Sequence, residues 1–238
     1  MTRGLPPDAA RAAGLDPSPR LKPSGVEWLG DVPEHWEVKE LKHCAPSVTV
    51  GIVVTPAKYY EDEGVPCLRS LNVLPGKLNP SELVFISEAS NELHRKSMIF
   101  EGDIVVVRTG RPGAAAVVDD RFDGANAIDL IIVRRSEMVL SEFGAYVFSA
   151  QALRDQITVG SGGAIQQHFN IEDARELLLP LPSLAEQRAI VAFLDLRTAS
   201  TDRARDAVSL AVERLQEYRT ALITAAVAGK VDVRESLA

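Results

Sequence analysis

From Leu184 to Ala228 the chain contains neither proline nor glycine, and this stretch restricts the possible folds more than any other. It follows "LPLPS", in which Pro180 and Pro182 interrupt any earlier helix, and it opens on Ser183-Leu184-Ala185-Glu186, the spacing of a capping box. The serine hydroxyl can accept from the Glu186 backbone N–H while the glutamate reaches back to the cap. Gly229 is well suited to end a helix. The spacing predicts one helix from 184 to about 228, roughly 65 Å long at about 1.5 Å per residue.

Along that helix, steps of four and three visit Ile190, Leu194, Arg197, Thr201, Ala204, Val208, Ala211, Leu215, Tyr218, Leu222 and Ala225. Nine of these eleven are apolar or aromatic, which makes the stripe a coiled-coil seam. Arg197 and Thr201 interrupt it, as a break, a bend or a register mark. A domain built from the preceding residues would be roughly 35–40 Å across, shorter than the helix. The seam is therefore expected to meet a partner helix, with Ile190, Leu194, Val208, Leu215, Tyr218 and Leu222 as its main contacts.

The residues before it read as an α+β domain built on an irregular mixed sheet. Short strand-like runs ("WEVKEL", "VTVGIVV", "VPCLRSLNV", "ELVFI", "DIVVVRT", "AAAVV", "AIDLIIV") alternate with turns. Short helices are predicted near Glu88 to Lys96, from Glu142 to Gln156 with Ser141 as N-cap, and behind Asn170. Residues 1–23, rich in proline and alanine, are expected to be a mobile leader, 24–182 the domain, and 183–238 the helical segment. Trp28 and Trp36, on either side of Pro33, are expected to form a packed aromatic lid, with an exposed binding platform as the alternative.

No uncharged run approaches the roughly 18 residues needed to span a bilayer, and the first residues lack the apolar core of a secretory signal. Cys44 and Cys67 fit no metal-ligand spacing and read as reduced thiols of a cytoplasmic protein. The net charge is −7. From Leu184 onward acids and bases balance at eight each, so the excess, 25 acids against 18 bases, lies in residues 1–183. Any contact with nucleic acid must therefore come from a local basic patch.

Several segments carry a family resemblance. "SGVEWLGDVPEHWEVKELK", "VPCLRSLNV", "EGDIVVVRTGRPGAAAVV", "SGGAIQQHFNIEDARELLLPLPSLAEQRAIVAFLD" and "LQEYRTALITAAVAGKVDVR" together resemble the specificity subunit of type I restriction-modification systems. They cover most of the chain from Ser24 to Arg234. The proline-rich step into "EQRAIVAFLD" and the closing "RTALITAAVAGKVDV" are the most specific parts.

The resemblance implies a target recognition domain that reads part of a split DNA site. It also implies a conserved helix that acts as spacer and as docking surface for methyltransferase subunits, with a restriction subunit in the full complex. Usual members carry two domain-plus-helix units with the helices antiparallel. This sequence shows one unit and no internal repeat, so the expected partner is the same helix of a second copy, giving a homodimer that reads a palindromic split site.

Base recognition needs donors that reach the major groove and backbone close to the phosphates. The leading candidates are Arg108, Thr109 and Arg111 in "RTGRPG", where Gly110 and Gly113 permit close approach; a strand-connecting turn is the other reading. Next come Lys58, with Tyr59 and Tyr60, and Arg69, Ser70 and Asn72 in "KYYEDEGVPCLRSLN". A third group is Gln166 and Gln167, beside His168 in "GSGGAIQQH", whose amides suit adenine. The glycine-rich loops match neither a P-loop nor a dinucleotide fingerprint.

No catalytic or metal-binding set is expected. His35, His43, His94 and His168 are scattered, and Glu61, Asp62 and Glu63 read as a solvated acidic turn, with a metal-dependent nuclease as the competing reading. A glycine-rich cofactor motif and an Asn-Pro-Pro-aromatic tetrapeptide are both missing, so S-adenosylmethionine is expected on the partner methyltransferase subunit. A scaffold that assembles a complex without reading DNA is the remaining alternative.

Overall fold

A computed structural model describes residues 5–27, 29–151, 153, 154, 156 and 169–230. It divides into two compact units, residues 1–191 and 192–238. The first is mixed α+β. Its strands are β1 (Leu21–Pro23), β2 (Asp31–Pro33), β3 (Glu37–Glu40), β4 (Val48–Val50), β5 (Tyr60–Glu61), β6 (Val65–Leu68), β7 (Val73–Leu74), β8 (Lys77–Leu78), β9 (Val84–Ile86), β10 (Ile104–Val107), β11 (Ala115–Val117), β12 (Asn126–Ala127), β13 (Leu130–Val133) and β14 (Leu178–Leu181). The helices are α1 (Pro7–Ala12), α2 (Glu88–Leu93), α3 (Ser141–Ser149), α4 (Ile171–Glu176) and α5 (Leu184–Val227).

The central sheet is antiparallel, in the order β11-β10-β13-β4. Its two central strands, β10 and β13, are continuous apolar runs because both faces are covered. Ile104 and Val106 of β10, with Ile131 and Val133 of β13, face a core shared with Ala145 and Phe148 of α3 and Ala174 of α4. Val105, Val107, Leu130 and Ile132 face the other core, with Leu68, Ile99 and Phe122. Each such side chain contributes on the order of 1.5–3 kcal/mol by leaving water. A second, mixed sheet runs β12-β6-β9-β5, with β12 and β6 parallel. Inside it, burial pushes the Cys67 thiol up to about 12, and Arg69 only partly opposes the shift.

The domain closes on itself through β3 and β14, which pair antiparallel from Leu178 opposite Glu40 to Leu181 opposite Glu37. Helix α5 starts directly after this ladder. Its capping box forms as spaced: the Glu186 N–H donates to Ser183 Oγ at 3.3 Å, and Ser183 N–H and Oγ–H donate to Glu186 Oε2 at 3.1 and 2.8 Å. The other carboxylate oxygen accepts from Trp36 Nε1 at 3.0 Å and lies 2.7 Å from His35 Nε2. Burial raises the Glu186 pKa, but the bonds from Trp36, His35 and Ser183 outweigh it and hold the group below its ordinary value.

Four expectations are corrected. Residues 5–23 of the expected leader carry structure, since α1 forms and β1 pairs with β2. The domain does not stop at 182, because Gln187 and Val191 of α5 are buried in it and Gln187 donates to the carbonyls of Met138 and Pro182 while accepting from Leu140 N–H. Ser141 is not an N-cap: Leu140 holds that position, and the Ser141 hydroxyl instead donates to the Gly102 carbonyl at 2.6 Å. Helix α3 also ends earlier, at Ser149, where Ala150 is extended before helical backbone resumes at Gln151. Of the two tryptophans, Trp36 packs with Leu29 and Val32, and Trp28 lies outside the described residues.

Candidate nucleic-acid interface

The "RTGRPG" loop leaves β10 at Val107 and re-enters β11 after Ala114, closed by bonds from Gly113 N–H to the Val107 carbonyl and from Val107 N–H to the Ala114 carbonyl. Asp129 organises it. This residue sits in the left-handed region at φ 53°, which aspartate tolerates better than most side chains. Its carboxylate pairs with the Arg108 guanidinium at 3.2 Å and accepts from Thr109 Oγ1 at 3.1 Å. Arg108 Nε also donates to the Phe169 carbonyl, and only 16% of the Arg108 side chain is exposed. A base contact by Arg108 or Thr109 would have to break these bonds. Arg111, on the same loop, is exposed.

The Arg69–Asn72 turn is built differently from expectation. Asn72 is fully buried; its Oδ1 accepts from Arg69 N–H, and its Nδ2 donates to the Asn79 and Ser81 carbonyls at 3.0 and 2.8 Å. Its amide is spent closing a loop, so it is not placed to read a base. Arg69 donates to the Glu82 carbonyl at 2.6 Å while its Nε is buried without a partner, and Ser70 is half-buried beside it. Gln166, Gln167 and His168 lie outside the described residues. Glu61, Asp62 and Glu63 are exposed, and among the described residues no group of three potential metal ligands occurs.

A feature that the sequence did not disclose lies beside Lys58. An open groove of about 460 Å³ runs between the Val53–Val54 loop and the turn from Leu93 to Lys96. Both walls hang on one segment: Ile52 forms a parallel bridge to Ile128, and Met98 an antiparallel bridge to Asn126. On the first wall, Gly51 lies against the Ala127 backbone so closely that a Cβ would fall 2.5 Å from its carbonyl oxygen. Thr55 then adopts φ 46°, a conformation that costs a β-branched residue on the order of 1–3 kcal/mol.

On the second wall a buried amide network fixes the turn. Asn126 Nδ2 donates to Asn91 Oδ1 at 2.7 Å, Ser97 Oγ donates to Asn126 Oδ1 at 2.7 Å, and Asn91 Nδ2 donates to the Gly124 carbonyl. The His94 ring stands edge-on to Tyr59 with centroids 4.6 Å apart, and its Nε2 is buried without a hydrogen-bond partner. Lys58 lies over the Tyr59 ring at 4.7 Å.

The seam residues fall into two groups. Ile190 is half-buried and packs in its own domain, near Trp36 on one side and Phe143 on the other. Leu194 is half-buried, while Val208, Leu215, Tyr218 and Leu222 are exposed, Val208 at 63% and Leu215 at 66%. The interruption is softened: Thr201 Oγ1 donates back to the Arg197 carbonyl, and the Arg197 guanidinium rests on Phe193 at 5.6 Å. The helix stops at Gly229, φ 68°, where Lys230 N–H reaches the Ala225 carbonyl and Gly229 N–H the Ala226 carbonyl.

The first unit is an irregular α+β domain closed by the β3–β14 ladder, and helix α5 carries exposed heptad positions. Residues 33–204 match the model of the type I restriction modification DNA specificity domain, and the chain belongs to that family. It is 25% identical over 216 residues to the EcoKI specificity subunit of Escherichia coli K12, covering 85% of this chain and 44% of that protein. It is also 25% identical over 214 residues to the StySPI specificity subunit of Salmonella potsdam, covering 84% and 44%.

Among solved structures, a chain from work on assembly and conformational transition of the type I R-M system superposes with a TM-score of 0.65 at 19% identity, covering 83% of this chain and 47% of that one. The HsdS subunit of Thermoanaerobacter tengcongensis gives 0.54 at 17% identity, covering 83% and 44%. The chain thus spans a little under half the length of these curated relatives.

Proposed function

We propose that this chain is a non-catalytic DNA-specificity component of a type I restriction-modification system, reading one half of a split site and directing methyltransferase subunits, with a restriction subunit in the full complex. The family match, which runs unbroken from the domain into the helix, carries the reading. S-adenosylmethionine is assigned to the methyltransferase subunit, and the assembly to the cytoplasm; no helix among the described residues is long and apolar enough to cross a membrane. The exposed heptad positions support pairing of the helix with its counterpart in a second copy, an isologous contact that imposes two-fold symmetry on what the two domains read.

The test is the adenine-methylation motif left on plasmid DNA after co-expression with the cognate methyltransferase subunit. An inverted repeat with a fixed gap is expected. An asymmetric motif would rule out self-pairing. If the methyltransferase co-purifies and is active with another specificity subunit but leaves no motif here, the chain is a scaffold, a reading favoured by the acidic excess of residues 1–183.

A further inference from the structure

We propose that the groove between the Val53–Val54 loop and the Leu93–Lys96 turn is where this domain grips its DNA, with Lys58, Arg95 and Lys96 on phosphates and Val53 and Val54 toward the bases. The inference rests on the function proposed above and names the surface that performs it.

Charge is the first argument. The domain is acidic overall, yet among the described residues no aspartate or glutamate lines this groove, whereas three exposed cations do. Lys58 and Lys96 have no ion pair among the described residues. Arg95 has only a long contact with Glu92, at 3.8 Å between two largely exposed side chains, which leaves its guanidinium free to exchange partners. By contrast Arg108 is enclosed and tied to Asp129, so the most prominent basic loop of the sequence offers only Arg111.

The second argument is rigidity. Phosphate contacts fix the register of a protein on a duplex, so the cations must be held by their backbone. Here one wall is pinned by the Asn91–Asn126–Ser97 network, and the other by the contact of Gly51 with the Ala127 backbone. Buried amides and a strained threonine are unfavourable in themselves. What they secure is the position of residues that otherwise face solvent.

The third argument is the mixture of side chains. Val54 is 71% exposed and Leu93 69%, beside the cations rather than in a core. Branched apolar groups at the lip of a cationic groove suit the thymine methyl group, which protrudes into the major groove. Protein docking is less well served, because a groove lined by three exposed cations suits a polyanion better than a mixed protein surface.

The experiment uses the complex with the cognate methyltransferase subunit and two probes: a duplex of random sequence and a duplex carrying the methylation motif read from plasmid DNA. K58Q/K96Q keeps both side chains polar and removes two charges. It is expected to weaken binding to both duplexes alike and to lower the slope of log K against log salt by about two. Val54→Ala is expected to leave that slope unchanged and to relax the motif at one position, and replacing thymine by deoxyuridine there should reproduce the effect in the wild type. Unchanged affinity and slope for K58Q/K96Q, in a complex that still writes its motif, would take the groove off the DNA while leaving the proposed function intact. A wild-type complex that writes no motif overturns that function, and the groove's role with it.

Discussion

At the scale of single residues, the costly positions in this domain are buried polar ones. Asn126 illustrates this, since its one amide joins Asn91, Ser97 and the backbone of Ala127. Truncation leaves several of these groups without partners in a site closed to water, at roughly 1–3 kcal/mol each. Asn126→Ala is expected to destabilise the domain by about 3 kcal/mol, measured by urea denaturation, whereas the exposed Arg111→Ala should change stability by less than about 0.5 kcal/mol. Asn72 shows why residue type alone misleads. An asparagine beside an arginine looks like an adenine reader, yet its amide is consumed by Asn79 and Ser81, seven and nine residues on. His94, Arg95 and Lys96 show the converse. They become a site only because Ile52 and Met98 both bridge to residues 126–128, a long-range pairing that leaves no periodic trace in the sequence.

At the scale of elements, the legible features were those set by local rules. The capping box is dictated by four consecutive residues, and the helix end by one glycine, so both could be placed from sequence. The apolar run of β10 marked a strand but not its depth: only the two separate cores reveal that both faces are covered. Local rules failed at α3, because the Ser141 hydroxyl found the Gly102 carbonyl instead of the helix N-terminus. The cap of α5 is open to test. Ser183→Ala is expected to cost about 1 kcal/mol. Glu186 has a lowered folded-state pKa, so its contribution is present above the ordinary carboxylate value and is lost as pH falls through the folded value. Chemical denaturation across a pH series should show this acid-side loss in the wild type, while Glu186→Gln lacks both the contribution and its pH dependence.

At the scale of the whole molecule, self-association through α5 would bury Val208 and Leu215 from each copy, each such side chain being worth on the order of 1.5–3 kcal/mol. V208D/L215D is expected to weaken pairing by more than a hundredfold, seen as a fall to monomer mass in sedimentation equilibrium, without lowering the melting temperature of the domain. The antiparallel ladder of β3 and β14 bears on how such a molecule can change. Where residues 37–40 lie against 178–181, the two ends of the segment between them stand one strand spacing apart, about 5 Å. Everything between them hangs from that clasp like a cartridge from its mount. Insertions, deletions or wholesale exchange of that segment are then tolerable so long as both halves of the clasp are retained, and a new surface need not be a new architecture.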